Sequence, residues 1–284
     1  MKARIFKSLF LGLAATLVFT ACTKRNNNQS ANKNDIPQSI VSLAPASTEI
    51  LFAVGAGNQV AAISQFTDYP PEALALPEVG GFDGKTLSLE KILSFKPDLV
   101  YLTDGMHNFL IESLDQYGIK YYLSKADSVK NVINEILEIG KITGHEKQAK
   151  SVAAQIENTI SKVNKQAENS PSVYYEVWTP PYMTAGSESF INDVIACAGG
   201  KNIFGDIAEA YPIISEETLI ARAPEVILIP ATSGITAKQV AQRTGWENIP
   251  AVKNNRIYIV DDNLITRAGP RIGEAIKAIS DIIN

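Results

Sequence analysis

One pattern occurs twice in this 284-residue chain and limits its possible folds more than any other feature. Ser88-Leu89-Glu90-Lys91-Ile92-Leu93 leads into Pro97-Asp98-Leu99-Val100, and Ser215-Glu216-Glu217-Thr218-Leu219-Ile220 leads into Pro224-Glu225-Val226-Ile227. An offset of 127 residues maps Ser88 onto Ser215, Glu90 onto Glu217, Pro97 onto Pro224 and Asp98 onto Glu225. Each copy reads as a serine-capped helix, a proline-marked turn and a buried strand. A weaker echo lies upstream, where each half has a strand, a loop and a helix that ends in Ala-Gly.

Between the copies the chain is helical in period and lacks proline from Ser128 to about Ala167, with Gly140 and Gly144 dividing it. The part from His145 to Asn169 would extend about 37 Å at ~1.5 Å per residue. Ala149, Val152, Ile156, Ile160 and Val163 give it one apolar stripe. On either side, short strands apolar on both faces (Ile40–Leu43, Val60–Ile63, Asp98–Leu102, Ile119–Leu123, Val173–Val177, Val226–Ile229, Ile257–Val260) alternate with helices. That alternation predicts parallel sheets covered on both faces. Ser47 or Thr48 is the expected cap of the first helix. The expected architecture is α/β: an N-terminal lobe over 39–143, a linking helix over 144–170 and a C-terminal lobe over 171–284.

The N-terminus reads as an export signal over residues 1–21. Lys2, Arg4 and Lys7 precede an apolar run of thirteen residues, Leu9 to Ala21. That run falls short of the ~20 residues needed to span a bilayer. Phe19-Thr20-Ala21-Cys22 resembles a bacterial lipobox, which makes Cys22 the expected lipidation site. Residues 22–38 are polar and Asn-rich, the composition of a flexible tether. With Cys22 lipidated, Cys197 has no disulfide partner and reads as a small buried hydrophobe.

The composition argues against several functions. There are 26 basic and 30 acidic residues, for a net charge of -4, so nothing draws the chain to nucleic acid. The two histidines, His107 and His145, are too few for a His-rich metal site, and His145 is expected on the surface. No phosphate loop and no Gly-x-Ser-x-Gly elbow occurs, and no nucleophile is paired with a base, so an enzyme is not expected. Loops that follow strands carry aromatics instead: Phe66, Phe82 (with Gly84 in the same loop), Trp178 and Tyr211. Open α/β sheets place ligands at that edge, and rings on stiff loops would form a slot for a flat molecule.

Several segments carry a family resemblance: SLAPASTEILFAVGAG from Ser42, DYPP at Asp68–Pro71, LEKILSFKPDLV at Leu89–Val100, GGKNIF at Gly199–Phe204, ARAPEVILI at Ala221–Ile229 and RAGPRI at Arg267–Ile272. In order and spacing the chain from Ile40 onward resembles the periplasmic binding proteins of ABC importers for cobalamin, ferric siderophores and haem, the cobalamin binders above all. The resemblance implies a class III fold, with two Rossmann-like lobes joined by one rigid helix. It also implies docking of Glu90 and Glu217 onto a permease dimer with its ATPase subunits. Phe66, Phe82 and Tyr211 fall at aromatic positions of the ligand cleft, Trp178 falls within a residue of another, and Asn263 and Arg267 fall at the ligand's rim. The cobalamin binders carry Trp where Phe82 and Tyr211 stand and Asp where Asn263 stands, and their disulfide is missing here.

The implied role is an exported lipoprotein on a bacterial membrane, without cofactor, that delivers a corrinoid. Under the siderophore alternative, Arg222, Arg243, Arg256, Arg267 and Arg271 would meet an anionic chelate, most of them as surface or turn residues. Under the haem alternative, Tyr211 or His107 would ligate iron. A surface adhesin or sensor on the same fold is a further alternative.

Overall fold

The computed structural model describes residues 36–166 and 170–284. The signal segment 1–21, Cys22 and most of the tether lie outside the described residues. Residues before 39 already pack on the N-terminal lobe. Pro37 is buried, and the Gln38 amide donates to the Asp98 carboxylate at 2.8 Å.

The N-terminal lobe contains β1 (Ile40–Ser42), α1 (Pro45–Ala53), β2 (Val60–Ala62), α2 (Leu89–Ser94), β3 (Leu99–Thr103), α3 (Ile111–Gln116), β4 (Lys120–Ser124) and α4 (Val129–Ile142). Helix α5 (Glu146–Gln166) follows. The C-terminal lobe contains β5 (Ser172–Trp178), β6 (Met183–Thr184), α6 (Phe190–Cys197), β7 (Lys201–Asn202), α7 (Glu216–Arg222), β8 (Val226–Pro230), α8 (Ala237–Ala241), α9 (Pro250–Lys253), β9 (Ile257–Val260), α10 (Asp262–Thr266) and α11 (Ile272–Ile283).

The first sheet is parallel, in the order β2-β1-β3-β4. In the second, β5 pairs in parallel with β8 and β8 with β9, while the other edge of β5 takes parallel β7 along its start and antiparallel β6 along its end. β1, β2, β3 and β4 thus correspond to β5, β7, β8 and β9. Strands buried on both faces need the crossover helices as covers, which is the arrangement that the apolar runs predict.

The sequence repeat is a structural repeat down to single bonds. Ser88 Oγ accepts the Lys91 amide and caps α2, and Ser215 Oγ accepts the Thr218 amide and caps α7. Both helices close on a left-handed residue directly before the proline, Lys96 at φ 47° and Ala223 at φ 44°. A side chain in that conformation is strained, so a position that holds it twice is specified by its surroundings. The acidic residue after each proline then pins the first strand of its lobe. Asp98 Oδ2 accepts the Ser39 amide at 3.1 Å, and Glu225 Oε2 accepts the Ser172 amide at 2.7 Å.

Two outer cores belong to single lobes, one built on Val41, Leu43, Val100 and Leu102, the other on Tyr174, Phe204, Ile229 and Trp246. A third core is shared. It joins the inner faces of both sheets (Ile40 and Tyr101, Val173 and Leu228) to α4, α5, α6 and α11. The lobes therefore do not hang from a bare linker. Helix α5, about 31 Å long at ~1.5 Å per residue, runs through common packing with α4 on one side and α11 on the other.

Three local expectations change. Pro45 starts α1 and no side chain caps it. Thr48 instead donates to Ser42 Oγ at 2.8 Å inside the lobe. His145 is half-buried rather than on the surface, because its ring lies against Gly55, whose φ of 94° turns the chain after α1. Cys197 is free and only half-buried, with burial pushing its thiol up to about 11.

Candidate ligand-binding site

The loops after β2 and before α2 bring Phe66 onto Phe82, with ring centroids 4.6 Å apart and planes 18° from parallel. Two glycines permit this. A Cβ on Gly80, at φ 124°, would sit 2.0 Å from the Thr86 carbonyl oxygen, and one on Gly81 would press on Phe66 at 3.3 Å. Asp83 fixes the next turn by accepting from the Lys85 and Thr86 amides and the Thr86 hydroxyl, and these bonds, the hydroxyl first, hold its carboxyl below the ordinary range. Gly84 is exposed and lies beside the ring of Phe109, which is itself exposed. Phe109 extends this apolar wall, and Met106, three residues before it, is also exposed. Neither was legible from the sequence: Gly105 marks the turn after β3, but the stretch from Phe109 reads there as the start of the next helix.

In the C-terminal lobe Trp178 ends β5. Its indole N–H donates to the Pro180 carbonyl, and it is 62% exposed. Tyr211 sits on a segment that runs beside β6, where the Thr184 amide donates to the Pro212 carbonyl and the Ile214 amide to the Tyr182 carbonyl. Met183 pairs with Trp178 on one side and with Ile213 on the other. This brings Trp178, Tyr211 and the exposed Ile213 to one corner of the sheet.

A charged seam joins the two lobes. Arg267, after α10, donates to both carboxylate oxygens of Asp68, to Glu49 at 3.2 Å and to Asn263 at 3.2 Å. Arg271 grips the same Glu49 with two bonds of 2.8 and 2.7 Å and lies 4.2 Å over the Tyr69 ring. The Glu49 side chain is 1% exposed, so burying its charge requires both arginines. Bonding to Arg267 also holds Asp68 below the usual carboxylate range. Asp68 stands two residues from Phe66. The seam therefore joins the strand ends of both sheets, where open α/β sheets place ligands. A recess of about 870 Å³ lies alongside, between α1, α5 and the start of α11, and of the residues singled out in the sequence as ligand contacts only Arg271 lines it.

The arginines proposed for an anionic chelate are not surface or turn groups waiting for a ligand. Arg243 is paired with buried Glu176 at 2.5 and 2.8 Å, and Arg222 with Asp206 at 2.6 and 3.0 Å. Arg256 donates to the carbonyls of Ile282 and Ile283 at the end of α11. All five arginines of the described residues are thus committed within the protein. His107 does not reach the seam. It is fully buried, its Nδ1 accepts the Thr103 amide, and burial lowers its pKa to about 4. Burial of part of its ring raises the Tyr211 phenol.

Glu90 and Glu217 occupy equivalent exposed positions in the first turns of α2 and α7. The helix's own backbone and the Ser215 hydroxyl lower the Glu217 carboxyl. Among the described residues no cluster of His, Cys, Asp and Glu side chains could hold a metal ion. No helix among them is long and apolar enough to cross a membrane.

Two α/β lobes with a shared core, rings at the strand ends and charges neutralised in pairs define a solute-binding protein. Residues 40–264 match the model of the periplasmic binding proteins, and the chain belongs to that family. Its members are non-enzymatic solute-binding components of transport systems. The chain is 30% identical to an uncharacterized ABC transporter substrate-binding lipoprotein, YvrC, of Bacillus subtilis, over 94% of this chain and 87% of that protein. The periplasmic vitamin B12-binding protein BtuF of Vibrio cholerae superimposes with a TM-score of 0.74 at 27% identity, covering 87% of this chain and 96% of that one. The periplasmic heme-binding protein RhuT of Roseiflexus superimposes with a TM-score of 0.74 at 28% identity, covering 87% and 99%. The two-lobed α/β fold expected from the sequence is thus the fold observed, and the chain is an extracytoplasmic substrate-binding protein of an ABC transporter.

Proposed function

We propose that the chain captures cobalamin or a related corrinoid and delivers it to a permease dimer with its ATPase subunits. In this reading Glu90 and Glu217 dock on the permease, and a lipid on Cys22 holds the protein at the membrane. Phe66, Phe82, Gly84, Trp178 and Tyr211 would contact the macrocycle, and Asn263 and Arg267 its rim. The observation that supports a corrinoid over its rivals is the commitment of every guanidinium in the described chain. Haem propionates and catecholate or carboxylate chelates carry negative charge into a site, and here Glu49 and Asp68 already neutralise the two arginines nearest to it. Cyanocobalamin is a neutral macrocycle with an amide rim and apolar faces, and it asks for ring contacts and hydrogen bonds instead. The relatives named for vitamin B12 agree with this choice.

Trp178 and Trp246 are the only tryptophans, and Trp246 is fully buried. Titration with cyanocobalamin should quench the exposed Trp178 component with a Kd far below those for haemin, a ferric catecholate and a ferric hydroxamate. Tight binding of haemin or either siderophore, with no response to the corrinoid, overturns the reading. Asp68→Asn removes one of the two carboxylates on Arg267 and should improve haemin binding by about five-fold, the scale of one charge pair near a surface, with a smaller change for the neutral corrinoid.

A further inference from the structure

The docking helices α2 and α7 are built alike except beneath their first turn. In α2 the residue before the exposed glutamate is Leu89, packed on the N-terminal lobe's outer core. At the same offset of 127, α7 carries Glu216, next to Glu217. Glu216 Oε1 accepts two bonds, from the Tyr182 hydroxyl at 2.9 Å and from the Trp246 indole N–H at 2.7 Å. The two rings lie against each other with centroids 5.9 Å apart. Arg243 covers both, 5.5 Å from the Tyr182 ring and 4.6 Å from that of Trp246, and is itself held by Glu176 of β5.

Tyr182 closes the short loop that begins at Trp178. Its carbonyl also receives the Ile214 amide, one residue before the Ser215 cap of α7. The ring-bearing loop of this lobe and the base of its docking helix are thus tied twice, once through backbone and once through a carboxylate. A carboxylate gripped by two donors in a partly buried setting has one well-defined pose, and losing a donor there loosens it more than at an exposed bond. The N-terminal lobe ties its ring-bearing loop to α2 only upstream of the helix, where Asp83 accepts from Lys85, Thr86 and Leu87 and the Ser88 amide reaches the Val79 carbonyl. Beneath the first turn of α2 Leu89 packs on the outer core, and apolar contact is less directional.

We propose that Glu216 is a positioning residue that couples the Trp178–Tyr182 loop to α7, so that cargo on the C-terminal lobe sets the pose of Glu217 while α2 and Glu90 stay indifferent to it. This rests on the docking role of Glu217 given above. Cargo that presses on Trp178 orders its loop, the loop holds the Tyr182 hydroxyl on Glu216, and the first turn of α7 stiffens. The C-terminal lobe would then report loading to the permease, and the N-terminal lobe would supply a constant anchor.

Hydrogen exchange tests this on the full chain. Saturating cyanocobalamin, or haemin if only haemin quenches Trp178, should slow the α7 amides Leu219–Arg222 by about five-fold and leave those of α2 unchanged. Tyr182→Phe keeps the ring and its place under Arg243 but removes the bond. In that variant the loop should still be protected by cargo while the slowing in α7 falls below about two-fold. Equal slowing of α7 in both proteins, no slowing in the parent, or the same response in α2 overturns the coupling. If no probe binds, the corrinoid reading falls and the coupling is read without cargo. Trp178→Gly should then speed α7 exchange in the parent but not in Tyr182→Phe, and equal acceleration in both overturns it. Tyr182→Trp, which restores a donor on a ring, should recover part of the parent response, and a purely packing role predicts no recovery specific to the donor.

Discussion

The two lobes share a topology, a serine cap, a left-handed residue before proline and an acidic clamp on the first strand, yet they are filled differently. The outer core of the N-terminal lobe is aliphatic, built from Val41, Leu43, Val79, Leu102 and Leu110. That of the C-terminal lobe is aromatic, with Tyr174, Phe204 and Trp246, and it encloses the ion pair of Glu176 and Arg243. The N-terminal lobe keeps its buried acid elsewhere. Glu135 accepts from the Tyr101 and Ser124 hydroxyls, and burial raises its carboxyl. The difference teaches that the repeated backbone fixes where Glu90 and Glu217 stand, whereas the filling decides what lies beneath each of their helices.

Four experiments would break or sharpen this comparison. The largest effect is expected from Glu90→Arg combined with Glu217→Arg, which should abolish corrinoid uptake while leaving Trp178 quenching intact, because a reversed charge faces the permease from both lobes. Persistent uptake removes the docking assignment. Next, Arg243→Met leaves Glu176 buried without its cation, with only the Tyr174 hydroxyl at 3.4 Å, and should cost ~3–5 kcal/mol. Urea unfolding should show the loss, with exchange rising in β5 and β8 before β1 and β3. A uniform rise would mean that the shared core couples the lobes fully.

A smaller effect concerns acid. His107 has no counterpart at the offset of 127, where Gly234 stands. Burial holds its folded pKa at about 4, below the value of 6.5 expected for an unperturbed histidine. Folding keeps the ring neutral while the unfolded chain takes up a proton. The stabilisation is therefore complete above pH 6.5 and drains away as the pH falls toward 4, by on the order of 2–3 kcal/mol. Denaturation at pH 7 and pH 5 should show this slope in the parent and a flatter one in His107→Gln. The smallest effect tests the symmetry itself. Ser88→Ala and Ser215→Ala each remove one cap and should each cost ~1 kcal/mol. Unequal losses would show that Glu216 shares the capping load in α7.

Much of this was legible beforehand, and the particular residues show why. Ser88, Ser215, Pro97 and Pro224 act on neighbours within a few positions, so their spacing carries the caps, turns and strands. The ring-bearing loops were visible because glycine and proline mark them. Phe109 and Met106 were not, since the stretch from Phe109 reads as the start of a helix although Gly105 marks the turn before it. The bond from the Gln38 amide to Asp98 leaves no sign in the sequence, because the polar composition of residues 22–38 conceals it.

From the sequence alone came the order of elements, the internal repeat, the long central helix and the place of the paired glutamates, all of which follow from short-range periodicity and backbone geometry. Only the tertiary structure decided which charges are free. Arg267 and Arg271 find Glu49 across 218 and 222 residues, and Tyr182 finds Glu216 across 34. A sequence displays a charge but not its partner. Such pairing is set by the packing of distant segments and has no period to read, so the neutrality of the seam became visible only once the lobes were in place.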